Sequence, residues 1–270
     1  MPKKVAWENM NEMIVIKNRY RRINVLEERK RFSEKRKVRI SLLRLAGYLI
    51  SHTLFFINKL KWKKPAHPEE VIWVDPNQIV RSIEFSNIVR QRRYYLNGII
   101  KDGNWDKGTY TVYHLHNGLF KAFEKRFIEG LSYLETNYFK EKNLPKTRLR
   151  ALADKYERKY DNIYSDIARD GFSVPSSVFD QRDAFKVSIT AEGEFLFMTG
   201  KHRLAITKLM GDEFKIPVKV SHRHTEWQKY RDKLYLELRA GKIKKKDIIK
   251  LNHPDLLDLV ENAQEEIKTY

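Results

Sequence analysis

Apolar and polar positions along this chain alternate with two distinct periods, and each period predicts its own kind of element. Leu149, Leu152, Tyr156, Tyr160, Ile163 and Ile167 are spaced 3, 4, 4, 3 and 4, the repeat of one helical face. A long helix is therefore predicted from Thr147 to Asp170, with Gly171 as its C-terminal cap. Phe120, Phe123 and Phe127 predict a second helix over Leu119–Gly130. Ser132 followed by Glu135 is a capping-box pattern that starts a further short helix. Phe185–Thr190 and Glu194–Met198, joined by Ala191-Glu192-Gly193, read as a β-hairpin. Val71–Val74 reads as a strand stopped by Asp75-Pro76-Asn77. Ile216–Val220 reads as a strand that Pro217 would confine to a sheet edge. Between these, Thr199 and Gly200 open a helix that runs to Met210 and Gly211. Beyond Thr225 the pattern is helical and polar.

These elements predict an α/β (α+β) fold with a small mixed sheet. Residues 1–64 form a basic amphipathic helical extension, and Pro65-Ala66-His67-Pro68 separates it from the rest of the chain. Residues 65–227 form the globular domain, and 228–270 a helical C-terminal tail. Within the extension, Ile40 to Ile57 is apolar over 18 residues but contains Arg44 and His52. A span needs about 20 apolar residues, and a central arginine costs a few kcal/mol, so a crossing helix is not expected. Lys35, Arg36, Lys37 and Arg39 precede this stretch; Lys59, Lys61, Lys63 and Lys64, with Trp62 among them, come after it. Two readings stay open: a helix lying in the headgroup plane of an anionic membrane through residues 35–64, or a helix packed on the protein's own core.

Charge changes the picture in one respect. The chain carries a net +19, but residues 1–64 hold 18 Lys/Arg against 5 Asp/Glu, a net of +13. The basic character is thus an N-terminal feature that suits a polyanion, either a membrane surface or nucleic acid. A hydrophobic fraction of 41% supports a buried core. With no cysteine, thiol nucleophiles and thiolate metal sites are excluded. Met1-Pro2-Lys3-Lys4 does not open a secretory signal, so the expected location is cytoplasmic, with peripheral membrane contact as a further expectation.

The order strand, Thr199, Gly200, Lys201, His202, Arg203, helix has a specific chemical reading. The first turn of a helix has backbone N–H groups without intrahelical partners, and they favour an anion. Gly200 permits close approach of a phosphate, and Thr199 offers a hydroxyl. Arg203 offers a planar fork, Lys201 a mobile charge, and His202 a donor or a proton carrier. On its own this pattern is also that of an ordinary capped helix with basic residues.

The surrounding residues resemble the ParB/sulfiredoxin superfamily, in an archaeal-type branch. Ile163–Phe172 is similar to the family's helix ending in a glycine turn, and the hairpin over 185–198 comes next in the family's order. Gly200-Lys201-His202-Arg203 with Leu204-Ala205 resembles the family's phosphate box, less its last spacing. Gly211 with Ile216-Pro217-Val218 resembles the closing turn and strand, and Val71–Ile79 the opening ones. Residues of about 80–159 would then be an insertion. The resemblance implies a pocket for nucleotide phosphates at Thr199, Gly200, Lys201, His202 and Arg203, with ATP or CTP as ligand and Mg²⁺ beside it. Sulfinic-acid reduction needs a cysteine in the box, and there is none. The 43 residues after Trp227 are too few for the further domains of a partition clamp. The family's kinases carry an acid just before the box, where this chain has Thr199.

The expected activity is ATP- or CTP-dependent phosphoryl transfer to a small or membrane-linked hydroxyl. Glu84 is the preferred catalytic base, Asp75 the second and His202 a further proton-transfer candidate. Asp102 and Asp106, in the turn-rich patch Gly98–Gly108, are weaker carboxylate candidates. The alternative is a ParB-like DNA-binding protein or nuclease. His222 and His224 would share a strand face but have no identifiable third metal ligand.

Overall fold

The computed structural model describes residues 38, 42–43, 45–82, 96–172, 185–211, 214–243 and 245–260. The chain divides into two compact units, 1–46 and 47–270. In the first, residues 38, 42, 43, 45 and 46 are helical. The boundary falls inside the expected 1–64 extension, so residues 47–64 fold with the second unit.

The second unit is mixed α+β. Its strands are β1 (Val71–Val74), β2 (Arg81–Ser82), β3 (Ile99–Lys101), β4 (Tyr110–Thr111), β5 (Phe185–Ile189), β6 (Phe195–Thr199) and β7 (Ile216–His224). They form one seven-stranded sheet in the order β1-β7-β5-β6-β2-β4, with β3 also on β7. β7 organises the sheet: it is antiparallel to β1, parallel to β5 from Val218 onward, and parallel to β3 from His222. The strand containing Pro217 is therefore internal, not the expected edge. Pro217 pairs with Trp73 of β1, one residue before the described pairing with β5 starts at Val218.

β5 and β6 form the predicted hairpin, in register from Ile189↔Phe195 to Lys186↔Thr199 with a bulge between Lys186 and Val187. β5 is buried at every position, which requires cover on both faces of the sheet. Helices α2 (Val112–Phe127), α4 (Lys146–Tyr156), α5 (Asn162–Asp170) and α6 (Lys201–Met210) contribute Phe123, Ala153, Ile167 and Leu204 to the core. The short α3 (Asn137–Lys140) adds Phe139. α2 starts earlier than expected and is kinked at His116 (φ −129°, ψ 16°). The predicted long helix runs from Lys146 to Asp170 but passes through a π-helical turn at Glu157–Asp161. Gly171 ends it with φ 72°. The capping box of Ser132 and Glu135 is formed, but it opens only a 3-10 turn at Tyr133–Glu135.

The C-terminal segment is integral to the same core. α7 (Thr225–Arg239) buries Trp227 and Leu234, and after α8 (Lys245–Ile248) Leu256 and Leu259 complete the cluster. At the other end of the unit, residues 47–61 form helix α1. Its inner face is fixed by polar contacts: Ser51 Oγ accepts the Asn97 N–H at 3.0 Å, and the Asn58 amide donates to the Gly98 carbonyl at 3.2 Å. Phe55 is buried with its ring 4.9 Å from His67. Among the described residues no helix is long and apolar enough to cross a membrane.

Candidate functional site

Gly200 joins β6 to α6 in a left-handed conformation, φ 100° and ψ 27°, and is the N-cap of the helix. A Cβ at this position would lie 2.7 Å from the ring of Phe185, so glycine is required both by backbone angle and by space. As a glycine, it makes no side-chain cap bond to the helix. The ten-residue α6 presents its positive end at this junction. Lys201, His202 and Arg203 form its first turn and are half-buried.

His202 turns inward rather than toward solvent. Its ring stacks on Tyr160, and its Nε2 lies 3.1 Å from the Tyr156 hydroxyl. Burial first, and then the positive charges of Lys201, Lys159, His116 and Lys142, push its pKa down to about 3. The imidazole is therefore neutral at pH 7 and adds no charge to the box. The Tyr156 hydroxyl hydrogen-bonds to Tyr138. Its contact with His202 Nε2 runs in the direction that the imidazole tautomer sets. Burial raises the Tyr138 phenol, but hydrogen bonds from Tyr156 and Lys142 and the charges of Lys142 and Lys201 outweigh it and hold it below the usual tyrosine range.

Lysines from three separate elements thus act on one spot. Lys201 belongs to α6, Lys159 to the π-helical turn, where its Nζ is 5.4 Å from the Tyr160 ring centroid, and Lys142 lies just past α3, with its Nζ 3.9 Å from the Tyr138 centroid. Such a cluster beside a helix N-terminus attracts a polyvalent anion.

The expected residues do not all meet here. Thr199, Gly200, Lys201, His202 and Arg203 are consecutive at the β6–α6 junction. Asp75 caps the 3-10 turn Pro76–Gln78 by accepting from Asn77 N–H at 2.7 Å. Its charge acts on Lys208, in the last turn of α6, about 10 Å along the axis from Lys201. Glu84 lies outside the described residues. Asp102 accepts from Gly103 N–H, and the buried Asp106 accepts from Ala191 N–H at 3.0 Å, a turn and a loop tie respectively. His224 caps α7 by accepting from Glu226 N–H, and its Nε2 is 2.9 Å from the Gly103 carbonyl oxygen. Among the described residues no group of three or more His, Asp and Glu side chains could hold a metal ion.

No family model, curated protein or solved structure matches this chain. The site must therefore be read from its own chemistry. Lys142, Lys159, Tyr138 and Tyr156 were not singled out by sequence as site residues. Tyr156 and Tyr160 share the helical period and read there only as core. A separate cleft of about 510 Å³, lined by Arg81, Glu194, Phe195, Trp227, Lys250 and His253 among others, opens at the far end of β6 from Thr199. Its Arg81 is already paired with Glu194 at 2.6 Å.

Proposed function

We propose that the chain binds the phosphates of a nucleotide, ATP or CTP, at the N-terminus of α6. In this reading Lys201 and Arg203 contact the phosphates, and Lys142 and Lys159 add charge from the flank. The observation that carries it is the convergence of Lys142, Lys159 and Lys201 on a helix N-terminus whose N-cap, Gly200, makes no side-chain bond to it. The resemblance of the strand–box–helix–strand order to the ParB/sulfiredoxin superfamily supports the same ligand. Phosphoryl transfer is the accompanying activity: a hydroxyl oxygen bonds to the terminal phosphorus, the nucleoside diphosphate leaves, and a base accepts the hydroxyl proton. Glu84 is the base in this reading, since Asp75 belongs with the other end of α6.

Titration of the full chain with ATP, CTP and GTP, with and without Mg²⁺, tests this by calorimetry. Binding should weaken at least tenfold in Lys201→Ala and in Arg203→Ala, and severalfold in Lys142→Ala, which lies outside the box. Absence of nucleotide binding to the wild type would overturn the reading. A salt-dependent DNA shift lost in the same variants would then move the site to a nucleic-acid backbone.

A further inference from the structure

The outer face of α1 is apolar and exposed. At 100° per residue, Leu49, Ile50, Phe56, Ile57 and Leu60 occupy one arc of about 120°. Their exposures run from 47% at Ile50 to 91% at Leu60. The opposite side of the same helix carries Ser51, Phe55 and Asn58, which hold it to the rest of the unit. Thr53, in the middle of the exposed arc, donates its hydroxyl to the Leu49 carbonyl at 3.0 Å, so its donor is satisfied within the helix. A row of large apolar side chains facing outward on a helix already packed on its other side marks an interaction surface.

The charge around this face selects its partner. Lys59, Lys61 and Lys63 are exposed beside it or just beyond its end, with Lys64 next to them. Trp62 lies among them, with the Lys61 ammonium 5.1 Å from its ring centroid. From Lys35 to Pro68 the sequence has nine Lys/Arg and no Asp or Glu. A second copy of the chain docked on this face would add its own lysines to the same interface, with no Asp or Glu from residues 35–68 to offset them. Nucleic acid would meet the lysines but give five large apolar side chains nothing to enter. A bilayer with anionic headgroups satisfies both, taking the apolar arc below the headgroups and the lysines among them.

We propose that α1 docks the protein on an anionic membrane surface, lying in the plane of the interface with Leu49, Phe56, Ile57 and Leu60 inserted. This goes beyond the nucleotide site and does not depend on it.

The test is co-sedimentation of the full chain with phosphatidylcholine vesicles, with and without 30 mol% phosphatidylglycerol. Binding is expected to the anionic vesicles, at least tenfold weaker to the neutral ones, and reduced by added salt. The double variant Phe56→Glu, Leu60→Glu should lose binding at least tenfold while keeping the wild-type unfolding temperature, because both side chains are exposed. Lys59→Glu with Lys61→Glu should reduce binding to anionic vesicles alone. The proposal fails if the Phe56/Leu60 variant binds vesicles as the wild type does, or if no vesicle is bound. It fails equally if the wild type is a dimer that this variant dissociates, for then a second copy covers the face.

Discussion

The imidazole of His202 lies flat on the ring of Tyr160, centroids 4.4 Å apart and planes 9° from parallel. The contact ties the second residue of α6 to the π-helical turn, so the first turn of the helix is anchored from below, with Lys201 and Arg203 on either side of His202 in sequence. A ring so placed is a packing element first, and its protonation would put a charge among Phe123, Tyr156 and Tyr160.

His202 should therefore stay neutral far below the usual histidine range. With a folded pKa of about 3 against 6.5 for the free group, the unfolded chain takes up the proton first as pH falls. The stability linked to this group is complete above about pH 6.5 and is lost as pH falls toward 3. An NMR titration should show no His202 imidazole transition above pH 5. His202→Ala should cost about 2–4 kcal/mol by emptying the aromatic cluster. A transition near pH 6.5 would mean that the ring is open to water.

A second expectation concerns Asp255, which is buried with Arg223 and Arg231. Arg223 donates to it through Nε and Nη2, Trp227 donates its indole N–H at 2.9 Å, and Arg231 lies at 3.4 Å. Burial alone would raise this carboxyl, but the two guanidinium groups outweigh it and hold the pKa at about 2. Its contribution is therefore present above the unfolded value of 3.8 and lost as pH falls toward 2. Asp255→Asn leaves two buried cations short of a counter-charge and should destabilise the fold by about 3–5 kcal/mol in urea unfolding. A loss under about 1 kcal/mol would show that Asp258, 2.9 Å from Arg231, compensates.

These two sites also show what the sequence made legible. The hairpin, the β6–α6 junction and the helix ending at Gly171 come from local rules: alternation, a glycine in the left-handed region, and the 3-4 helical repeat. The run Thr199–Arg203 stands out because its five residues are consecutive. Its surroundings do not, because Lys142 and Lys159 reach it through tertiary packing, and a lysine after a short helix carries no local mark. Pro217 misled for a related reason. Edge confinement is a rule about pairing on both sides of a residue, and where β5 starts relative to β7 is set by register, not by composition. The Arg223–Asp255 pair spans 32 residues, and nothing near Asp255 in sequence announces that the tail enters the core.

The buried amine of Lys186 yields the remaining prediction. It sits in β5 with only 9% of its surface exposed, beside Lys219, which is itself paired with Glu69. Burial foremost, then the charge of Lys219, lowers its pKa from 10.5 to about 7. Between those values the unfolded chain holds a proton that the folded chain has released. Stability must then rise with pH across that window as the unfolded chain loses its proton in turn, falling short of its full value until about pH 10.5; the slope is up to about 1.4 kcal/mol for each pH unit. Lys186→Met removes the titrating group and keeps much of the side-chain volume, so the variant should lose this slope and gain stability at pH 7. Urea midpoints of both proteins at pH 7, 8 and 9 decide it. Parallel lines would mean that Lys186 keeps its proton in the fold, with Glu69 shared between the two ammonium groups.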